Sequence, residues 1–510
     1  MRRAHAVADV RSAEHALMAI VPDGALMQRA AAGLAATCVR LIGRVYGSRV
    51  IVLAGTGDNG GDALYAGARL AGRGAGVTAV QVGAHVHDGG ARALLAAGGR
   101  LMAAADQLVP SAIADADLII DGILGIGGKG GLREPAATLA GMVARASSGG
   151  AIVVATDLPS GVDADTGVVA GAAIRADVTV TFGTVKPGLL IDPGASYAGT
   201  VELVDIGLEP HLTVAPSVVA LQSSDVGAML PQPSAESNKY RRGVLGVLAG
   251  SEKYTGAAVL SVGGAVRGGA GMVRFLSARH AVEVVRQHWP EAVLTVIDSA
   301  DPVAAVESAG RVQAWVAGPG LGTGHEAAAL MAAVLATPLP VLVDADGLTV
   351  LAGRKDLLSR PASADTLITP HAGELARLLN ANPDDIEAER LSYVRRAATE
   401  LGVTVLLKGS TTVVASPDAA EPVLVNPTGT SWLATAGSGD VLSGLAGALL
   451  AQGVLPARSA GAAAAFLHGL AGRLAARDAP IGAADIITAL PEAIRLVSAA
   501  QGSVAAESAN

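Results

Sequence analysis

From residue 49 onward the chain alternates short, continuously apolar runs with Ala- and Leu-rich stretches of helical period. The runs are RVIVLAG, VTAVQVG, ADLIIDGILG, AIVVATDLPSG, VTVTFG and TVELVDIG, and the stretches between them predict helices over residues 63–73, 91–98 and 135–147. Strands that are apolar on both faces and separated by helices predict a parallel sheet covered on both sides. A second series starts at GVLGVLAGS and runs through a helix over 256–270, MVRFLSA, VQAWVAGPGLG, LPVLVDADGL, DTLITPHAGE, VTVLLKGSTTVVA and GTSWLATAGSGDVLSGLAGALLAQG. The expected fold class is α/β, with two doubly wound domains.

Between the two series the periodicity lapses. Residues 208–242 are rich in Pro and Ser, which places a boundary near 210–220. The expected organisation is a first domain over 1–212, a linker and lead-in segment over 213–242, a second domain over 243–497 and a disordered tail over 498–510.

Composition sharpens this picture at a few points. A chain of 510 residues is too long for one ordinary core. It is 51% hydrophobic and 16% charged, with much of the apolar content in Ala and Val beside 65 Gly, which points to small-residue packing and not to a membrane span. The start, MRRAHAVADVRSAEHALMAI, has Asp9, Arg11 and Glu14 where a signal peptide needs an apolar run, so a cytoplasmic protein is expected. The single cysteine, Cys38, excludes an internal disulfide and reads as a small buried hydrophobe on a helix. A net charge of −8 with 2% aromatic residues argues against a nucleic-acid surface.

The chemistry concentrates in loops that follow strands, where doubly wound sheets bind their ligands. In GTGDNGGD, residues 55–62, glycines let backbone N–H groups approach an anion at a helix start, yet Asp58 and Asp62 oppose negative charge there. A neighbouring cation, or a ligand that offers hydroxyls, removes the conflict. Asp62 has a second reading as a charge that complements the helix dipole. DGILGIGGKGG begins at Asp121 and TDLPSGVD at Thr156. Across the three loops Asn59, Asp121 and Ser160 offer hard oxygens to a cation, leaving Asp157 for proton chemistry or a ligand hydroxyl.

With LMQRAA upstream and VTFGTVKPG downstream, these motifs resemble the NAD(P)H-hydrate epimerase family, in order and over nearly all of residues 1–210. The resemblance implies a Rossmann-like domain that binds hydrated NADH and NADPH and a potassium ion held by Asn59, Asp121 and Ser160. It also implies substrate contacts from Asp58, Asn59, Gly60, Gly61 and Asp62, from Gly125, Ile126, Gly127, Gly128, Lys129, Gly130 and Gly131, and from Asp157, which its freedom for proton chemistry makes the expected catalytic residue. Lys186 of GTVKPG is the next candidate for catalysis. The family usually has Asn where this chain has Asp58.

In the second half, the GSGD turn of ATAGSGDVLSGLAGALL opens a helix. Its N–H groups can receive an anion, and Asp440 can take a proton from a hydroxyl attacking a phosphoryl group. The competing reading is an ordinary cap by Ser438 or Asp440. KGSTT at 408–412 can hold a nucleotide phosphate or base edge, AGPGLGTG and TPHAGE follow two further strands, and Glu374 reads as a helix N-terminal charge. Together with GSEKYTGAAVLSVGGAVRGGAGMV these motifs resemble the ADP-dependent NAD(P)H-hydrate dehydratase family, a ribokinase-like fold, over roughly 235–495; Asn238 stands where relatives commonly have His.

That second resemblance implies Asp440 as the base, with Gly437 to Gly439 supporting the transferring group. Lys408, Gly409, Ser410, Thr411, Thr412 and Gly439 would hold the nucleotide, and Ala257, Gly320, His371 and Asp440 the hydrate. ADP is the implied co-substrate, with Mg²⁺ shielding its charge, although no ligand for the ion stands out. Phosphorylating the hydrate's hydroxyl turns a poor leaving group into a good one, so elimination restores the ring double bond and yields AMP and phosphate. The two halves together imply a bifunctional repair enzyme that interconverts R and S hydrates and dehydrates the S form, expected as a homo-oligomer. Two rivals stand beside it: a vitamin or sugar kinase in the second half, and a non-catalytic ligand-binding or dimerisation module in the first.

Overall fold

The computed structural model describes all residues except 232–235, 237, 362–363 and 508–510. The chain divides into two compact units, Arg3–Val218 in one and Met1–Arg2 with Val219–Asn510 in the other.

The first unit is built on a seven-stranded sheet in the order Arg100–Ala103, Gly76–Gln81, Arg49–Ala54, Leu118–Gly122, Ile152–Thr156, Val178–Phe182 and Thr200–Val204. All pairings are parallel. Continuously apolar strands bury both faces: Val50 and Val52 pack with Ala63, Leu64 and Leu70, whereas Ile51 and Leu53 pack with Leu139 and Val143. Strand order reverses between Arg49–Ala54 and Leu118–Gly122, which opens a crevice at their carboxyl ends. Leu53 is level with Asp121 and Asp121 with Ala155, so three strand-end loops emerge side by side.

Some elements differ from expectation. The helix predicted from residue 63 begins at Asp58, so Asn59 to Asp62 belong to it and not to a free loop. The edge strand Arg100–Ala103 and the short helix Val109–Ala114 had too little pattern to be read. Helix Ala25–Ile42 has the length and hydropathy of a membrane span, yet it packs Ala30, Leu34 and Cys38 into this core. Burial pushes the Cys38 thiol up to about 12, which makes it the inert hydrophobe expected.

In the second unit seven parallel strands carry the sites: Val244–Leu248, Met272–Ser277, Val293–Val296, Ala314–Ala317, Val341–Val343, Thr366–Ile368 and Thr404–Leu407. Strands Thr412–Ala415 and Val423–Asn426 then add antiparallel, so VTVLLKGSTTVVA is a hairpin whose turn is the KGST segment. The order reverses between Val244–Leu248 and Ala314–Ala317. Helices Thr255–Arg267 and Ser438–Ala451 pack backbone to backbone. A Cβ on Gly444 would lie 1.9 Å from the Ser261 carbonyl oxygen, so only glycine permits that approach.

Two boundaries are corrected. Strand Val218–Ala220 and helix Ser223–Met229, inside the segment read as linker and lead-in, have formed structure, and Val219, Leu221 and Val226 lie in the second unit's core to which the segment leads. Helix Ala483–Glu507 runs through most of the tail read as disordered, because SAAQGSVAAE is Ala-rich and free of proline and Val497 is anchored in the core. Residues 508–510 of that tail lie outside the described residues.

Candidate active sites

In the first unit Asp157 follows strand Ile152–Thr156 and is held in the left-handed region at φ 63°, a strained conformation for a residue with a Cβ. Its Oδ1 accepts hydrogen bonds from Lys186 Nζ at 2.5 Å, Thr181 Oγ1 at 3.0 Å and the Phe182 N–H at 3.2 Å. Lys186 is itself buried and donates to Thr181 Oγ1 and the Phe182 carbonyl. The two candidate catalysts are therefore one ion pair.

Asp121 is fully buried at the end of strand Leu118–Gly122. Its carboxylate accepts the Ser160 hydroxyl at 2.6 Å, the Ser160 N–H at 2.8 Å and the Ile123 N–H at 3.2 Å. Burial raises its pKa to about 6 against the pull of those donors. Asn59 Nδ2 and Ser160 Oγ both reach the Leu124 carbonyl oxygen, at 3.1 and 3.2 Å. The sequence-predicted cation residues thus meet at one place, Asp121 and Ser160 through their oxygens and Asn59 through the amide nitrogen it turns to the Leu124 carbonyl.

Beside them is a cavity of about 330 Å³ whose walls include Glu14, Met18, Met27, Asp58, Asp62 and Phe182. Asp58 occupies the first helical turn; Asp62 lies one turn further, nearly buried, so its reading as a simple dipole charge fails. Residues 125–131 form the loop before helix Ala136–Ser148 and are not among these walls, and Lys129 pairs with Asp163 at 2.8 Å. Glu14 was missed because nothing in its helix, Val7–Met18, sets it apart locally.

In the second unit helix Ser438–Ala451 starts at Gly437 with no side-chain cap; Ser438 Oγ instead donates to the Leu433 carbonyl. The ordinary-cap reading is thereby set aside, and the first-turn N–H groups remain available to an anion. Burial, then the neighbouring charge of Asp344, pushes the Asp440 carboxyl up to about 7. Lys408 Nζ donates to Asp344 Oδ1 at 2.7 Å and lies 3.9 Å from Glu374, while the Ser443 hydroxyl donates to Asp344 Oδ2 at 2.6 Å. The residue after Asp344, Ala345, is left-handed at φ 52°.

A cavity of about 420 Å³ is lined by Lys253, Tyr254, Ala257, Gly320, Asp346 and Asp440. It unites Ala257, Gly320 and Asp440 as predicted. His371 lies elsewhere in the sequence's site set: it caps helix Ala372–Leu379, its Nδ1 accepting the Gly373 N–H at 3.0 Å, and its ring reaches Glu374 at 3.6 Å. Glu374 completes that capping box, as its reading as a terminal charge anticipated, but it is buried and its pKa is raised by burial.

The Lys408–Thr411 turn is gripped from behind. Arg390, fully buried, donates to the carbonyls of Leu407, Lys408 and Thr411 and pairs with Glu387. Asp344, Asp346 and Arg390 escaped the sequence reading. The two aspartates had a signal, since PVLVDAD ends a continuously apolar strand just as ADLIID does. Among the described residues no group of three or more His, Cys, Asp or Glu side chains forms a metal cluster.

Residues 245–493 match the family described as NAD(P)H-hydrate dehydratase, and residues 23–188 the one described as YjeF-related protein N-terminus. The chain is 48% identical to the bifunctional NAD(P)H-hydrate repair enzyme of Mycobacterium leprae, over 99% of this chain and 100% of that one. It belongs to the bifunctional NAD(P)H-hydrate repair enzymes. The counterpart in Mycobacterium tuberculosis is 49% identical over 91% of this chain and 92% of its own. Among solved structures, the ADP/ATP-dependent NAD(P)H-hydrate dehydratase from Bacillus subtilis, co-crystallised with ATP and Mg²⁺, is similar with a TM-score of 0.50 and 29% identity, covering 55% of this chain and 99% of that one. The readings of a vitamin or sugar kinase and of a binding-only first half give way to family membership.

Proposed function

We propose that the two strand-end sites carry out the two steps of hydrate repair, with the unit Arg3–Val218 inverting the hydroxyl-bearing carbon and the unit from Val219 onward removing the hydroxyl. The observation that carries this is the placement of two carboxyl groups: Asp157, locked to Lys186 and bonded to the cavity-wall residue Phe182, and Asp440, at an uncapped helix start on the wall of the second cavity.

In the second site Asp440 takes the proton of the substrate hydroxyl as it attacks the terminal phosphoryl group of ADP. The Gly437–Gly439 N–H groups receive that group's charge, and Lys408 with Gly409, Ser410, Thr411 and Thr412 holds the nucleotide. Ala257 and Gly320 shape the hydrate pocket. Asp346, which lines the cavity with Asp440, is the hard oxygen donor available to Mg²⁺ carried by the nucleotide, an ion that neutralises phosphate charge. In the first site Asp157 acts as a base with Lys186 fixing its charge and orientation. Asn59, Asp121 and Ser160 fit potassium as a hard-oxygen set, and the ion would offset the buried Asp121 charge. Hydrated NADH and NADPH are the substrates in this reading, without nucleic acid or membrane partners.

The test is incubation of the protein with mixed hydrate isomers and ADP or ATP while absorbance of the reduced nicotinamide is followed. Full recovery of both isomers is expected. Stable phosphorylated product without recovery, or recovery of one isomer only at the spontaneous rate of interconversion, would sink one half of the reading.

A further inference from the structure

Asp62 differs from every other carboxyl in the first site. It is 9% exposed, it lines the cavity, and its Oδ1 is buried with no hydrogen-bond partner. Asp157, by contrast, has three donors on a single oxygen, one of them a buried ammonium group. A carboxyl with an unsatisfied buried oxygen beside an empty volume is either a defect or a group awaiting a ligand. Its position on the cavity wall favours the ligand.

The chemistry of the substrate says what such a group must do. Water adds to the ring double bond of a reduced nicotinamide with its oxygen on the carbon next to the ring nitrogen. One route to inversion of that carbon breaks the C–O bond and reforms it on the other face. Hydroxide leaves poorly, so a proton has to arrive at the oxygen as the bond breaks.

We propose that Asp62 is the general acid of the epimerase, donating its proton to the departing hydroxyl, while the Asp157–Lys186 pair supplies the base for the water that returns. The proposal rests on the epimerase reading above. The C–O electron pair leaves with oxygen as water, and the ring nitrogen's lone pair forms a C=N⁺ bond. A solvent water then attacks the opposite face; its proton passes to Asp157, and the C=N⁺ electrons return to nitrogen. Asp62 has lost one proton and Asp157 has gained one, so a transfer back through water resets the site, with no change of oxidation state.

The electrostatics agree. Burial first, then the charges of Asp157, Asp58 and Glu14, hold the Asp62 carboxyl well above the ordinary carboxylate range, with Lys186 opposing them. A carboxyl held protonated by its surroundings is what the acid role demands.

The experiment uses the full chain and the separated R hydrate of NADH in H₂¹⁸O. Wild type should incorporate solvent oxygen with each inversion. Asp62→Asn should lower kcat for inversion by roughly 10²–10⁴-fold, the usual worth of a general acid, with KM little changed and partial rescue by added formic acid. ADP-dependent dehydration of the S hydrate by the same sample reports that the chain is folded. If Asp62→Asn raises KM and keeps kcat, Asp62 only binds substrate and the acid assignment falls while the epimerase reading stands. Inversion by wild type without ¹⁸O uptake also overturns the assignment. Failure of wild type to invert faster than the spontaneous rate would instead remove the epimerase reading itself.

Discussion

A carboxyl that accepts a proton near neutrality must be ionised there, and Asp440 starts from a position where burial and Asp344 hold it protonated up to about pH 7. The rate constant kcat/KM for ADP-dependent dehydration should therefore rise with pH through about 7 and level off above it, because kcat/KM reports the free enzyme. Stability carries the matching signature. Between the ordinary carboxylate range and about pH 7 the folded chain keeps a proton that the unfolded chain has released. This group's contribution to stability accordingly falls as pH rises across that window, and Asp440→Asn should remove that slope from thermal denaturation curves. Asp121 is the corresponding residue of the first site. Asp121→Ala removes the charged member of the oxygen set, so epimerisation should weaken and high potassium should partly restore it; an unchanged rate and unchanged potassium dependence would show that no cation acts there. Residues that stand in glycine-rich motifs, such as Asn59, Asp121 and Asp440, could be put forward as candidates from sequence because the backbone chemistry around them is local. Glu14 and Arg390 could not, because their importance comes from partners far along the chain.

At the scale of elements, the Lys408–Thr411 turn depends on a single guanidinium. Arg390 takes three carbonyls of the Leu407–Thr411 segment, and a Cβ on Gly409 would meet that guanidinium at 2.4 Å. Lys in its place keeps the charge and loses the fork. Arg390→Lys should raise KM for ADP by about tenfold, equivalent to about 1.4 kcal/mol, with a smaller effect on kcat. Initial-rate kinetics against ADP concentration measures it. The alternation of apolar runs disclosed most strands here because buried parallel strands are continuously hydrophobic. It did not disclose that VTVLLKGSTTVVA doubles back, since both halves of a buried hairpin carry the same pattern, nor that the Ala-rich tail is helical. One helix start was misplaced because DNGGD has poor helical propensity, yet it forms the first turn at Asp58.

For the molecule as a whole, the division into two compact units with separate cores means that each site should fail alone. The sequence disclosed this because two complete strand–helix series, each with its own glycine-rich loops, flank a stretch without periodicity. It misplaced the seam because Val218–Ala220 and Ser223–Met229 add structure inside that stretch. Asp440→Asn and Asp157→Asn both preserve side-chain size, so folding should be little affected. The most direct measurement is chiral chromatography of R and S hydrate over time, with ADP present, for each variant. Asp440→Asn should abolish recovery of NAD(P)H yet still convert R to S, whereas Asp157→Asn should dehydrate S at a normal rate and consume R only as fast as it epimerises spontaneously. Full dehydratase activity in Asp440→Asn, or normal R-to-S conversion in Asp157→Asn, would contradict the assignment of one step to each site.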